Sequence, residues 1–280
     1  MLVNMNSILK DAQKNKYGVG LFNVIDTDGL QAAVAAAEEL CSPIIIGTAE
    51  VLLPYGDLHI IGPGMVEMAK RASVPIAIHY DHGLTYQRCV EALRLGFSSV
   101  MYDGSALGHE ENLAGTRDVV KIAHEFGATV EGEIGHVGNT DVGDEQNEDL
   151  YTKPEDAVEF IEKTGVDALA ISIGTAHGPY TKAPKLDFDR LEEIRSATDV
   201  PLVLHGGSGL SDEDFRKSIA GGITKVNIFT DICSAGLFES MKEYPYKDGY
   251  LLLHDAKVNA MKEEVKRKLT LFGSAARATL

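Results

Sequence analysis

Short runs of almost unbroken apolar residues alternate along this chain with longer stretches in which apolar residues return every three or four positions. The short runs predict strands near Val19–Val24, Pro43–Thr48, Pro75–Asp81, Ser98–Asp103, Thr129–Ile134, Ala168–Gly174, Pro201–His205 and Lys225–Phe229. Their continuous apolar character suits parallel strands covered on both faces. In the longer stretches, Leu30, Ala33, Val34 and Ala37 fall at i, i+3, i+4 and i+7 of a helix. So do Val119, Ile122, Ala123 and Phe126, with Gly127 placed to stop that helix. Thr152-Lys153-Pro154-Glu155 has the spacing of a capping box, and Gly165 closes the helix that follows.

Eight strand–helix units without a linker or composition break predict one domain over residues 1–280, an α/β fold of the (β/α)8 TIM-barrel type. The alternative is a doubly wound open sheet. That fold normally carries a glycine-rich loop after its first strand, and Val24-Ile25-Asp26-Thr27-Asp28 is not one. Two segments break the rhythm. Residues 136–153 form a long acidic loop after strand 5, of a length that is usually functional or mobile. Residues 243–253 read as an insertion before the last helix.

Composition narrows the function classes. The net charge of −16, from 42 acidic and 26 basic residues, argues against nucleic acid or anionic membrane as partner, because such binding needs Lys and Arg to neutralise phosphates. No apolar run approaches the roughly 20 residues of a membrane span. The N-terminus lacks the pattern of a signal peptide, so a cytoplasmic protein is expected. Cys41, Cys89 and Cys233 are odd in number, far apart and in apolar surroundings, and read as buried thiols.

The candidate chemistry lies where strands end. Asn23 ends strand 1, Asp81-His82 strand 3, Asp103 strand 4 and Glu133 strand 5; His177 follows strand 6, His205 ends strand 7 and Asn227 lies in strand 8. In a barrel of this length each unit takes about 31–35 residues. His82 and His177 are 95 residues apart, close to three units, and His177 and His205 are 28 apart, close to one. All three therefore return to the C-terminal mouth, where barrel active sites are built. One histidine at a barrel mouth is ordinarily a hydrogen-bonded structural residue. Three, each followed by glycine, match a catalytic zinc site with an open position. His59, His109, His124, His136 and His254 read as structural, and His79 as a partner behind the metal ligands.

A second constellation suits phosphate. His205-Gly206-Gly207-Ser208-Gly209-Leu210-Ser211 joins strand 7 to a helix capped by Ser211, and strand 8 runs out through Asn227-Ile228-Phe229-Thr230. Glycines let backbone N–H groups approach an anion, and a helix N-terminus favours negative charge. The loops after strands 7 and 8 are the recurrent phosphate site of barrel enzymes.

The motifs IHYDHG (78–83), VMYDGS (100–105), VEGEIG (130–135), IGTAHGPY (173–180), LVLHGGSG (202–209) and KVNIFTD (225–231) resemble those of class II fructose- and tagatose-bisphosphate aldolases. The likeness runs from about residue 5 to residue 278, through the tail FGSAARA. It implies a zinc enzyme that reversibly cleaves a ketose phosphate or bisphosphate to dihydroxyacetone phosphate and an aldehyde, the metal stabilising an enediolate. It also implies His82, His177 and His205 as zinc ligands, Asp81 as the acid/base at the C4 hydroxyl, and Asn227 beside the reacting carbons. Asn23, Gly178, Gly206, Gly207, Ser208, Asn227, Ile228, Phe229 and Thr230 are the implied substrate-binding residues. Asp103 and Glu133 match an alternative or second metal site; a monovalent cation is the other possible companion. A homodimer or homotetramer is implied by resemblance alone.

Two stretches depart from the family pattern. Where relatives carry a catalytic glutamate in a GG-x-E-D loop, this chain reads Gly138-Asn139-Thr140-Asp141-Val142, which puts Asp141 in that place, with Asp144 and Glu145 as substitutes. The Asp-Pro-Arg element before the last helix is replaced by Gly249-Tyr250-Leu251, and no arginine occurs between Arg216 and Arg267. Arginine is preferred for bidentate phosphate binding, so the second substrate phosphate is in question, and Phe229 suggests a less polar acceptor pocket. The substrate expected under that reading is a ketose 1-phosphate or a modified or deoxy sugar phosphate. Three rival readings remain. A zinc hydrolase would carry His-x-His where Phe22-Asn23-Val24 stands, a Schiff-base aldolase needs a lysine at a strand end, and a sugar-phosphate binding protein would lack turnover.

Overall fold

Eight parallel strands close into a barrel: β1 (Val19–Asn23), β2 (Ile44–Ala49), β3 (Ile76–Gly83), β4 (Ser99–Tyr102), β5 (Thr129–Ile134), β7 (Ala168–Ile171), β9 (Leu202–Leu204) and β10 (Ile223–Ile228). Two-residue strands β6 (Gly138–Asn139) and β8 (Ala176–His177) pair separately. The computed structural model describes residues 1–139, 150–178, 180 and 182–278. Asp141, Asp144 and Glu145 lie outside the described residues, as does most of the acidic loop.

All eight predicted strands are present, shifted by a few residues at their ends. Pro43, Pro75 and Pro201 sit one residue before β2, β3 and β9, because proline has no N–H to give the ladder. The carbonyls of Pro75 and Pro201 still accept from Ile44 and Leu169. The helices are α1 (Met5–Asn15), α2 (Thr27–Glu39), α3 (Leu58–Arg71), α4 (Tyr86–Arg94), α5 (His109–Glu125), α6 (Pro154–Thr164), α7 (Phe188–Ala197), α8 (Asp212–Ala220), α9 (Thr230–Ser240) and α10 (Gly249–Phe272). None among the described residues is long and apolar enough to cross a membrane.

Alternate residues of each strand separate two cores. Outward side chains such as Ile44, Ile46, Val130 and Leu204 pack under the helices. Inward ones, including Leu21, Ile45, Ala77, Met101, Ala170 and Val203, fill the barrel together with Met5, Ile8, Leu9 and Ala12 of α1. Helix α1 thus plugs the N-terminal end, and each large side chain it buries contributes about 1.5–3 kcal/mol. With that end sealed largely by hydrocarbon, the cavity opens at the other end.

Several local expectations need correction. Thr152 does not cap α6, whose N-cap is Lys153 with Pro154 at the first helical position. Its buried hydroxyl instead donates to the Ile134 carbonyl and accepts from Ser172 N–H, tying β5 to the chain after β7. Cys41 is exposed, because it falls in a left-handed turn (φ 47°) after α2 rather than in a strand. Phe126 is half exposed, since α5 has already ended. Residues 249–253, expected in an insertion, form the first turn of α10, which Gly249 starts after the left-handed Asp248.

Candidate metal centre and active site

The polar residues at the strand ends share one cavity of about 380 Å³ at the C-terminal mouth. Asp81 and His82 both line it, although consecutive residues of a regular strand point to opposite faces. The register between β3 and β4 slips between Tyr80 and Gly83, and His82 takes φ 47°, unusual for a residue other than glycine. That bulge presents two successive functional side chains to one space, the kind of local strain that clusters at functional sites.

The rings of His82, His177 and His205 come together from the bulged end of β3, from β8 beyond the end of β7, and from the residue after β9. Their centroids are 4.5 Å (His82–His205), 4.8 Å (His82–His177) and 5.8 Å (His177–His205) apart. His82 Nδ1 lies 2.7 Å from Asp103 Oδ2, and His205 Nε2 lies 2.7 Å from Glu131 Oε1. A carboxylate accepts, so those two nitrogens carry the protons. The remaining nitrogens, His82 Nε2 and His205 Nδ1, face each other at 2.8 Å. Two bare lone pairs repel at that distance, so the pair suits a shared cation, a proton or a metal. Ligand nitrogens of all three rings lie within 4.8 Å of one another. Imidazoles with carboxylates behind them are a usual environment for zinc, so the donor set fits a divalent cation. With only a proton there, burial opposes charge on His82, yet Asp81 and Asp103 raise its pKa to about 10. Burial and the charge on His82 push His177 down to about 3.

Asp81 is buried and held by two amides: Asn23 Nδ2 donates to Oδ2 at 2.7 Å, and Asn227 Nδ2 to Oδ1 at 3.1 Å. Burial alone would raise its pKa, but the positive charge of His82 and Lys225 holds it well below the usual carboxylate range. Asp103 likewise stays ionised against its burial, through His82 and the Ser105 hydroxyl. Glu133 is the reverse case. Burial and the nearby Asp103 push it up to about 8, and its Oε1 accepts from Val137 N–H at 3.0 Å. His82, Asp103 and Glu133 form a second candidate cation cluster.

Gly206, Gly207, Ser208, Ile228, Phe229 and Thr230 form one wall of the cavity, with Gly178 beside them. A Cβ on Gly206 (φ 64°) would meet the Ala176 carbonyl at 2.4 Å, so only glycine lets the backbone turn there. Ser208 Oγ accepts from Phe229 N–H at 3.2 Å, joining this turn to the start of α9. Ser211 caps α8 as expected, but α9, starting at Thr230, is the helix whose N-terminus reaches the cavity wall. On another side stand Ala49, Val51, Leu52, Leu84 and Val137, and no lysine or arginine is among the described lining residues.

Every described site residue named from the sequence lies at this mouth, with His205 fully buried just beneath the cavity, while Asp141 lies outside the described residues. Sequence reasoning missed two others, His136 and Glu131, and the ion pair that Lys225 makes with Glu131. His136, read as structural, lines the cavity with Nδ1 3.0 Å from Ser105 Oγ. Glu131 was passed over between apolar neighbours, although its spacing of two from Glu133 puts both on one strand face. Lys225 lies mid-strand inside the barrel, ion-paired with Glu131 at 2.7 Å, and does not line the cavity.

Comparison with known proteins gives a consistent picture. A family model described as "Fructose-bisphosphate aldolase class-II" matches residues 3–277. The Escherichia coli K12 protein named "Uncharacterized protein YdjI" is 39% identical over 279 residues, covering 99% of this chain and 100% of that protein. A crystal structure described as the YdjI aldolase matches at a TM-score of 0.89 and 36% identity, covering 100% of both chains. A fructose-bisphosphate aldolase of Staphylococcus aureus (strain Mu50) is 39% identical over 284 residues, covering 99% of each. The structure of a putative fructose-1,6-biphosphate aldolase from Coccidioides immitis matches at a TM-score of 0.88 and 30% identity, over 97% of this chain and 96% of that one.

Proposed function

The chain belongs to the class-II fructose-bisphosphate aldolase family, and from that premise we propose that it is a zinc-dependent aldolase cleaving a ketose phosphate to dihydroxyacetone phosphate and an aldehyde. The observation that carries this reading is the meeting of three imidazoles beside an ionised Asp81 at the floor of one cavity, two of them lining it and His205 just beneath. Zinc held by His82, His177 and His205 would supply a Lewis acid that draws negative charge from the carbonyl side of the breaking C3–C4 bond.

The chain's own residues then have separate tasks. Asp81 takes the proton of the C4 hydroxyl in cleavage and returns it in condensation. Asn23 and Asn227 fix its carboxylate by their amide groups, so its two oxygens keep one orientation. Backbone N–H groups around Gly206–Ser208 and at the head of α9 suit the phosphate of the dihydroxyacetone half. Asp141 is proposed as the group that handles the proton at C3.

At the acceptor end, Val51, Leu52 and Leu84, without any lysine or arginine among the described lining residues, favour an uncharged, less polar aldehyde. A ketose 1-phosphate is therefore the proposed substrate class in preference to a bisphosphate. Action in the cytoplasm as a homodimer or homotetramer belongs to the same proposal.

A retro-aldol screen of ketose mono- and bisphosphates, coupled to a dihydroxyacetone phosphate reductase, tests the reading. Zinc-dependent release is expected, with the 1-phosphates preferred and with loss on His205→Ala. Tight binding of sugar phosphates with no release would instead identify a binding protein, and equal turnover by His205→Ala would remove the metal mechanism.

A further inference from the structure

Below the metal centre, three charged or titratable side chains stand in the middle of the barrel: Glu131 on β5, Lys225 on β10 and His79 on β3, all fully buried. Each lies two residues before a cavity residue on the same strand, namely Glu133, Asn227 and Asp81, and so occupies the next inward layer. An ion pair buried this deeply is weak evidence of stabilisation, since desolvation offsets much of the attraction. Its placement suggests another role.

Glu131 divides its two oxygens. Oε1 lies 2.7 Å from His205 Nε2, and Oε2 lies 2.7 Å from Lys225 Nζ, an ion pair set off the ideal hydrogen-bond line. His79, its Nδ1 2.7 Å from Ser99 Oγ, stands 3.9 Å from Oε2 and does not compete for either contact. We propose that Glu131, clamped by Lys225, is a positioning residue that selects the His205 tautomer whose bare Nδ1 faces the cation. This rests on the metal reading above. A neutral imidazole can carry its proton on either nitrogen, and only the Nε2–H form leaves Nδ1 free as a ligand. The carboxylate, which can only accept, excludes the other form at this position.

The clamp makes a sharp prediction about Glu131→Gln. Beside the Lys225 ammonium, a glutamine must turn its oxygen to the lysine and its NH2 to His205. That NH2 needs an acceptor, so His205 Nε2 loses its proton and Nδ1–H points at the metal position. Adding Lys225→Met, close in volume and uncharged, frees the amide to turn over and offer its oxygen to His205 again. A purely structural ion pair predicts the opposite ranking, or none.

The test is titration of metal-free protein with Co2+, following affinity and the visible absorption of bound cobalt. Wild type is expected to give a low-coordinate, nitrogen-ligated spectrum. Glu131→Gln should lose about 10–100-fold in affinity and change the spectrum. The double variant Glu131→Gln/Lys225→Met should recover at least about tenfold of that loss. Wild-type affinity and spectrum in Glu131→Gln overturn the inference while leaving the metal reading intact. So does a double variant that binds no better than the single one. Failure of wild type itself to take up cobalt overturns both.

Discussion

Replacing Asp81 by asparagine should separate chemistry from architecture at this site. The side chain keeps its shape and loses its charge and its capacity to accept a proton. Its surroundings can adjust, because Oδ1 of Asn23 and Oδ1 of Asn227 are both buried without a hydrogen-bond partner. Either amide can turn over and offer that oxygen to the new NH2. Two bonds to a charged acceptor, worth about 1.5–3 kcal/mol each, become neutral ones of about 0.5–1.5, so stability falls by about 1–3 kcal/mol. The reaction should suffer more. A positioned acid/base contributes about 10²–10⁴-fold, or about 2.7–5.5 kcal/mol of barrier. The assay measures kcat for cleavage at equal zinc content, beside the exchange of the C3 proton of dihydroxyacetone phosphate in deuterated water. Exchange does not involve the C4 hydroxyl, so it should survive within about tenfold of wild type while cleavage drops by at least about 10². Cleavage within threefold of wild type refutes the role given to Asp81. An equal collapse of both reactions would mean that the residue acts on the wrong carbon for this account.

Three further outcomes follow from the geometry. Because metal-free His82 holds its proton up to about 10, zinc binding near pH 7.5 should release at least one proton, and affinity should rise about tenfold per pH unit below that pKa; calorimetry in buffers of different ionisation enthalpy measures the release, and pH-independent affinity contradicts it. Thr152→Val leaves the Ile134 carbonyl and the Ser172 N–H without this hydroxyl, so stability should fall by about 1–3 kcal/mol for each group, read as a lower melting temperature with little change in KM. Gly206→Ala forces a Cβ against the Ala176 carbonyl and should raise KM for phosphorylated substrate far more than it lowers zinc content; unchanged kinetics would remove this turn from the phosphate site.

The barrel and the convergence of its histidines were legible because both depend on repetition. Each unit buries one apolar strand under one helix, so the spacing between His82, His177 and His205 already counted strand ends. Partnerships that depend on closure were not legible. Glu131 and Lys225 lie on strands separated by β7 and β9, and only the closed ring sets them face to face across the interior. The bulge that turns His82 beside Asp81 also escaped, since IHYDHG reads equally well as a plain strand end. Thr152 shows the limit of cap signatures: the local pattern fits, but a tertiary demand for its hydroxyl prevails. Helix α1 was legible but missed: Met5, Ile8, Leu9 and Ala12 fall at i, i+3, i+4 and i+7, but the helix stands ahead of the eight repeating units and only the closed barrel shows what that face plugs.

Zinc K-edge X-ray absorption on the zinc-loaded protein addresses the metal centre most directly. The fine structure should require three imidazole nitrogens at about 2.0–2.1 Å, falling to two in His177→Ala. A shell of oxygens alone, or one unchanged by that substitution, would contradict a site built from these three rings.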